Sequence, residues 1–385
     1  MRPWWLVVLA ACGGGGSSPP GDGAGSDAVT RPPTLGLNDV TMLVPLPAAL
    51  DQPVVLRMTG DGGPELVPRA LFASLVTDPG DVLDPFESFH VVGARIDLCD
   101  RSTTEPCDPA ADGMLRLVLQ PLAGTPPTAS DVALHAFYPI PNGELASVVQ
   151  DLRVLAGIQD LPTATQLTVN PGLANNFSGY APRMKLLVTR FASADRLFRL
   201  TLFAQDARTA AVNWSLRGVV RDGAGFVPIA IPDVGASEQH VLLLGPDTTY
   251  DTNPLANLPT GFSTALYSDA FAAADATART FALESLAVVQ NPTRHTPDTV
   301  QCVSCHVATF LLDHRIAAAG IDPQQVAGRY TSTSFDLSTS AGISRTNNRS
   351  LRALGWLGRE PAISQRVVNE TANVLDELER RFPAP

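Results

Sequence analysis

The chain has 385 residues, of which 45% are hydrophobic and 17% are charged, and its formal net charge is −11. This length and apolar content are sufficient for about two or three domains with buried cores. The acidic balance excludes the basic surface that nucleic-acid binding requires, and it leaves no polybasic patch for a membrane surface.

The first residues have the features of an export signal. One positive charge precedes an apolar run that is much shorter than the roughly 20 residues needed to cross a bilayer. The sequence Leu9-Ala10-Ala11-Cys12 resembles a bacterial lipobox, in which the cysteine is lipidated and becomes the mature N-terminus. We therefore predict a lipoprotein signal peptide over residues 1–12, with lipidation at Cys12. The alternative is an ordinary signal peptide with an incidental cysteine.

The residues after Cys12 are consistent with a membrane anchor. Residues 13–35 are rich in Gly, Ser and Pro, a composition typical of a flexible tether. This predicts a protein anchored by lipid in the cell envelope, facing the periplasm or the cell surface. Gly13 stands where an aspartate would resemble an inner-membrane retention signal, so the outer membrane is favoured.

Cys99 and Cys107 lie on either side of a short polar segment that contains Pro106. Turn-forming residues between two cysteines are typical of a surface loop closed by a disulfide. Thiols outside the cytoplasm tend to oxidise. We predict a Cys99–Cys107 disulfide, and two free thiols are the alternative.

Residues 36–262 contain many short apolar segments separated by turn residues, a pattern typical of β-strands. Most gaps are too short for the helical crossovers that parallel strands require, so the predicted sheets are antiparallel and sandwich-like. Helical spacing of apolar residues predicts one helix over residues 143–156. That helix would join two possible modules, residues 36–140 and 160–262.

Within this body we predict a strand over Met184–Phe191. His90, His135 and His240 each stand alone in strand-like segments, and we interpret them as structural histidines. No nucleophile elbow, phosphate-binding loop or zinc-protease helix motif occurs here.

The composition changes after residue 262. Residues 263–385 predict a smaller, mainly helical part, with a helix that runs to about Ala319 and stops at Gly320. An apolar stripe within Pro361–Phe382 predicts a terminal amphipathic helix. The expected fold class is therefore α+β, with a β-rich antiparallel body followed by a smaller helical part.

The helical part contains the sequence Cys302-Val303-Ser304-Cys305-His306. In this pattern two thiols can form thioether bonds to both vinyl groups of one porphyrin, and the next residue can ligate the iron. At this motif the chain resembles the c-type cytochromes. The resemblance covers the motif and the residues after it, and none of the chain before it. It implies a covalent haem c on Cys302 and Cys305, His306 as an iron ligand, and electron transfer to an unidentified redox partner protein.

The second iron ligand is less clearly indicated, because no methionine follows the motif. If His306 and His314 share one helix, they point about 80° apart and cannot bind opposite faces of one haem. His295 lies in a proline-bounded loop, and we predict it as the second ligand. A five-coordinate iron, or a ligand from the β-rich body such as Met184, is the alternative.

Three other interpretations of the motif stay open. In the first, Cys302 and Cys305 form a disulfide in a binding or structural lipoprotein without haem. In the second, Cys302, Cys305, His306 and His295 hold zinc, although an oxidising compartment opposes free thiolates. In the third, the protein is a haem enzyme such as a peroxidase. Since we identify no distal acid or base, an electron carrier or binding protein is favoured over an enzyme.

Overall fold

The computed structural model describes residues 34–50, 56–60, 63–76, 85–99, 107–159, 166–175, 178–205, 212–244, 249–253, 261–337 and 351–384. The predicted signal peptide, the predicted lipidation site Cys12 and nearly all of the predicted tether lie outside the described residues. Among the described residues, no helix has both the length and the apolar character needed to span a membrane.

In the part of the chain that the structure describes, the β-rich body is built around one antiparallel sheet of ten strands. Its strands are β1 (Thr41–Leu43), β2 (Phe89–Leu98), β3 (Ala111–Ala123), β4 (Thr128–Ala129), β5 (Val132–Pro141), β6 (Arg199–Gln205), β7 (Val212–Asp222), β8 (Gly225–Pro228), β9 (Glu238–Leu244) and β10 (Thr249–Asn253). The main order is β1-β2-β3-β5-β6-β7-β9-β10, while β4 pairs with β3 and β8 pairs with β7. A separate hairpin joins β11 (Leu354–Leu357) and β12 (Glu360–Ile363).

Helices lie before, between and after these strands. They are α1 (Leu37–Val40), α2 (Arg69–Leu75), α3 (Pro85–Ser88), α4 (Leu145–Gln159), α5 (Pro171–Ala174), α6 (Tyr180–Phe191), α7 (Phe262–Leu266), α8 (Ser268–Ala273), α9 (Ala276–Val289), α10 (Cys302–Ala319) and α11 (Gln365–Arg381). Short 3-10 turns occur at Ala194–Arg196 and Pro323–Gln325. The predicted α+β class, with an antiparallel β-rich body and a helical C-terminal part, is confirmed.

The two helices that matter most for the site have clear sequence signals at their ends. Helix α10 stops where Gly320 adopts the left-handed conformation, with φ of 62°, as the sequence predicts. Ser364 caps the start of helix α11, because its side chain accepts a hydrogen bond from the backbone N–H of Val367. Arg380 and Arg381 occupy its last turn, where positive charge is favourable.

The prediction of a strand over Met184–Phe191 is wrong, because this segment belongs to helix α6. The buried residues of α6 are Tyr180, Met184, Leu187, Val188 and Phe191, and their spacing follows the period of a helix. Leu186 lies on the opposite side and is 70% exposed. Taken without Tyr180, the segment Met184–Phe191 is short enough to suit a buried strand as well as a helix.

Two buried apolar clusters hold residues 32–385 together, and this range forms one compact unit. The first cluster joins α4 and α6 to the sheet and also includes α11. The second joins β6, β7, β9 and β10 to α7, α8, α9 and α10. Helices therefore cover the sheet on the side of the second cluster, and each cluster draws residues from both sides of the predicted boundary at 262/263. The domain boundary at 262/263 therefore stays a prediction.

The predicted disulfide between Cys99 and Cys107 is present in the structure. The two sulfurs are 2.11 Å apart and the two Cα atoms 5.7 Å apart. The bond joins the residue after β2 to the segment before β3, and the residues 100–106 between the cysteines lie outside the described ranges. The bridge thus ties together the ends of two paired strands.

Candidate functional site

The Cys-x-x-Cys-His motif forms the first turn and a half of α10. Cys302 is the first residue of the helix, so Cys302, Cys305 and His306 lie on one helical face at spacings of three and four residues. Both thiols are half-buried and are not linked to each other. Burial raises the pKa of Cys302 to about 11 and that of Cys305 to about 12, so both are protonated thiols at neutral pH.

Buried glutamines fix the start of this helix against the sheet. Gln239, on β9, accepts a hydrogen bond from the backbone N–H of Val303 at 3.2 Å and donates one from its amide group to Gln301. Both glutamines are buried, so losing either contact would leave a buried polar group unsatisfied. These two hydrogen bonds from Gln239 therefore fix the position of the motif relative to β9.

The ring of His306 is oriented by two contacts. Its Nδ1 lies 2.7 Å from the backbone carbonyl oxygen of Leu351, which can only accept, so Nδ1 carries the proton. Its ring stacks on Phe203 with centroids 5.1 Å apart and an angle of 6° between the planes. Burial lowers the pKa of His306, which favours the neutral ring. A neutral ring with Nδ1–H bonded to a carbonyl leaves Nε2 as the lone-pair donor, the arrangement typical of metal-ligating histidines.

Phe203, the stacking partner, is itself held by a buried polar cluster. Arg352 lies over the Phe203 ring at 5.1 Å and pairs with Asp131 at 2.7 Å. Asp131 also accepts a hydrogen bond from the Nε1–H of Trp214 at 2.8 Å. This cluster joins the segment before β11 to β7 and to the residue before β5.

The three motif residues line a single cavity between α10, the sheet and the start of α11. The cavity opens to solvent, and most of its lining surface is apolar. The apolar part of its wall includes Val118, Phe203, Leu216, Ile229, Ile231, Val300, Leu354 and Val367.

Arginine side chains line the part of the cavity that is formed by β2, β3 and β6. Arg95, Arg116, Phe137 and Arg199 stand in register across β2, β3, β5 and β6. The guanidinium of Arg116 lies 4.6 Å from the centre of the Phe137 ring, and that of Arg199 lies 5.6 Å from it. These contacts give the cavity a cationic row beside its apolar wall.

Carboxylates neutralise part of this row. Asp97 accepts hydrogen bonds from the Nε atoms of Arg95 at 2.6 Å and Arg116 at 2.8 Å. Glu370, on α11, pairs with Arg95 and with Arg366. At the other end of the row, Arg199 contacts Asp298 at 3.2 Å, while its Nε is buried without a hydrogen-bond partner among the described residues.

His295, the predicted second ligand, is not among the residues that line this cavity. Its backbone carbonyl accepts a hydrogen bond from Arg366 at 2.7 Å, and its buried ring Nδ1 has no partner within the described part of the chain. Burial, followed by the charge of Arg366, lowers its pKa. Its role as an iron ligand remains a prediction.

His314 shares α10 with His306, as predicted, and stacks on Phe310 with centroids 5.8 Å apart. It does not line the cavity, whereas His135, which we interpreted as structural, does. Sequence analysis missed His135 because its proximity to the motif depends on the pairing of β5 with β6.

Comparisons with family models, curated proteins and solved structures found no match to the chain. Within the ranges that the structure describes, no three His, Cys, Asp or Glu side chains are grouped to hold a metal ion. A zinc site on Cys302, Cys305, His306 and His295 therefore has no support from the described geometry.

The residues present suit a covalent haem. Two protonated thiols and one oriented imidazole share a helical face, as thioether attachment with a single protein ligand to iron requires. The apolar wall suits a porphyrin ring, and the arginine row suits its two carboxylates.

Proposed function

We propose that the protein carries one covalent haem c, attached through Cys302 and Cys305 with His306 as an iron ligand, and that it transfers electrons. The observation that carries this proposal is the shared position of the three residues. All three line one mostly apolar cavity, and the Nδ1 of His306 is bonded to the Leu351 carbonyl.

In this proposal the haem supplies a one-electron redox centre, and the protein sets its surroundings. Cys302 and Cys305 would each hold the haem through one thioether, formed by addition of the thiol S–H across a vinyl group. The Leu351 carbonyl holds His306 in the tautomer that presents Nε2. Apolar side chains such as Phe203 limit water around the iron, which raises the influence of nearby charges on its potential.

The arginine row has a separate task in this proposal. Haem carries two carboxylates, and Arg–carboxylate pairs are strong when they are shielded from water. Arg199 is the best placed partner, because its buried Nε lacks a partner within the described residues and it lines the cavity together with Cys302. Arg116 is already paired with Asp97 and contributes charge rather than an open donor.

Export and membrane attachment are part of the same proposal. Bacterial haem attachment takes place outside the cytoplasm, and the lipobox-like sequence that ends at Cys12 would bring the protein there. The Cys99–Cys107 bridge agrees with an oxidising compartment. The protein would then exchange electrons with a redox partner in the cell envelope.

The test is production in cells with a haem-maturation system, followed by denaturing electrophoresis with haem staining. We expect the parent protein to stain and a Cys302→Ala/Cys305→Ala double variant to lose the stain. His240→Ala is the matched control, since this histidine lies on β9 with its side chain 44% exposed. A parent protein that folds but does not stain would reject the haem proposal in favour of a disulfide or another ligand at this site.

A further inference from the structure

His135 lies on the sheet face that forms the cavity. Its neighbours Leu134 and Ala136 are buried in the first apolar cluster on the other face, whereas His135 is half-buried and lines the cavity. Alternation along β5 therefore directs His135 toward the space that the motif residues also line. Of the six histidines in the sequence, only His135 and His306 line this cavity.

Strand pairing brings His135 close to the motif. His135 is directly opposite Thr201 on β6, and Phe203 is two residues farther along the same strand and face. Such diagonal neighbours lie about 7–8 Å apart, and their Cβ atoms are somewhat closer. The Phe203 ring stacks on His306. His135 therefore stands one diagonal step from the residue that contacts the proposed iron ligand.

The His135 ring is available for a ligand. Neither of its nitrogens makes a hydrogen bond to any described residue, although the cavity around it is rich in arginine. Burial, and then the positive charge of Arg116, hold its pKa well below the usual range. The ring is therefore neutral, the form that binds metals.

The competing side chains are less well placed. Met184 is buried in α6 within the first apolar cluster. Met114 does line the cavity, but it is four residues from Val118 on β3, and Val118 is the residue opposite His135. Four residues of strand span about 13 Å, in the direction away from Phe203.

We infer that His135, in place of His295, would be the second protein ligand of the haem iron together with His306. The inference rests on the proposed function, because it requires the covalent haem on Cys302 and Cys305. It predicts a bis-histidine site, which has a lower reduction potential than a histidine–methionine site. It also makes the sheet, and not only the helical part, a direct contributor to the iron environment.

The experiment uses the full-length haem-loaded protein and compares ferric electronic absorption and electron paramagnetic resonance spectra. We expect the parent to be six-coordinate and low-spin. His135→Ala should become high-spin, and added imidazole should restore the low-spin spectrum. His295→Ala and Met114→Leu, as controls, should stay low-spin without imidazole.

A second variant keeps the test decisive if His135→Ala does not fold. His135→Met should fold with a ligand of similar volume and raise the reduction potential above that of the parent. A high-spin parent, a low-spin His135→Ala variant or a high-spin His295→Ala variant overturns the inference while leaving the covalent haem intact. Loss of covalent haem from the denatured parent overturns the proposed function, and this inference with it.

Discussion

Glu370 offers a quantitative test of how the C-terminal helix is joined to the sheet. This buried residue of α11 accepts hydrogen bonds from Arg95 on β2 and from Arg366 at 2.6 Å. Glu370 belongs to a cluster of three arginines and two carboxylates, namely Arg95, Arg116, Arg366, Asp97 and Glu370 itself. Glu370→Gln keeps the size of the side chain and removes one of the two negative charges.

The expected cost follows from what the arginines lose. Removing one partner of a buried ion pair typically costs about 3–5 kcal/mol, since a charge is left uncompensated. Here Arg95 keeps its bond to Asp97, and Arg366 keeps bonds to the carbonyl oxygens of Val289 and His295. We therefore expect Glu370→Gln to lower the free energy of unfolding by about 3 kcal/mol, at the lower end of that range.

The assay is urea denaturation of parent and variant at neutral pH, with Glu360→Gln as the control because Glu360 is exposed at the start of β12. The midpoint should fall at an unchanged slope, and the control should differ from the parent by less than about 0.5 kcal/mol. A Glu370→Gln variant within about 1 kcal/mol of the parent would contradict the reasoning, since the cluster would then contribute little to the docking of α11.

The same residue predicts a dependence on pH. Burial by itself would raise the pKa of Glu370, but the charges of Arg95 and Arg366 outweigh it and hold the pKa below its ordinary value of 4.5. A carboxylate with a depressed folded-state pKa stabilises the protein above its unfolded-state pKa, and this contribution is lost as the pH falls. The stability difference between parent and Glu370→Gln should therefore shrink as the pH falls below 4.5. A difference that grows in acid would contradict the assignment.

Further predictions concern the anchor, the bridge and one glycine. Cys12→Ser should move the protein from the membrane to the soluble fraction, and a variant as membrane-bound as the parent would reject lipidation. Replacing Cys99 and Cys107 together by serine should lower the free energy of unfolding by about 2–3 kcal/mol, the entropy of closing so short a loop, as measured in urea. Gly355→Ala should lower the free energy of unfolding by about 1–3 kcal/mol or more. Gly355 has φ of 137°, and a Cβ there would meet the side chain of Gln120. An unchanged urea midpoint would refute this prediction.

Much of the fold could be predicted from local patterns. The end of α10 follows from Gly320, and α4 (Leu145–Gln159) overlaps the predicted helix over 143–156. Segment Met184–Phe191 was not predictable from its composition alone, since a short apolar run suits a strand and a helix equally. The helix becomes evident once Tyr180 is seen to pack in the first cluster with the buried residues that follow it. That packing is a tertiary effect.

In the candidate site too, the residues of the motif could be predicted from the sequence, whereas those from the sheet could not. Cys302, Cys305 and His306 lie within five residues of one another, so the sequence alone identifies them as a candidate haem-attachment motif. His135 and Arg199 are far from the motif in the chain, and only the register of β5 with β6 brings them to one sheet face. A single sequence does not fix that register, which depends on which apolar faces become buried.

The most direct measurement of the central claim is the mass of the peptide that contains Cys302 and Cys305, from protein matured with haem and digested without reduction. Our account predicts a peptide heavier by one haem, with both cysteines resistant to alkylation and with haem absorbance in the same fraction. A peptide of unmodified mass that alkylates at both thiols, or one lighter by two hydrogens because of a Cys302–Cys305 disulfide, would contradict it.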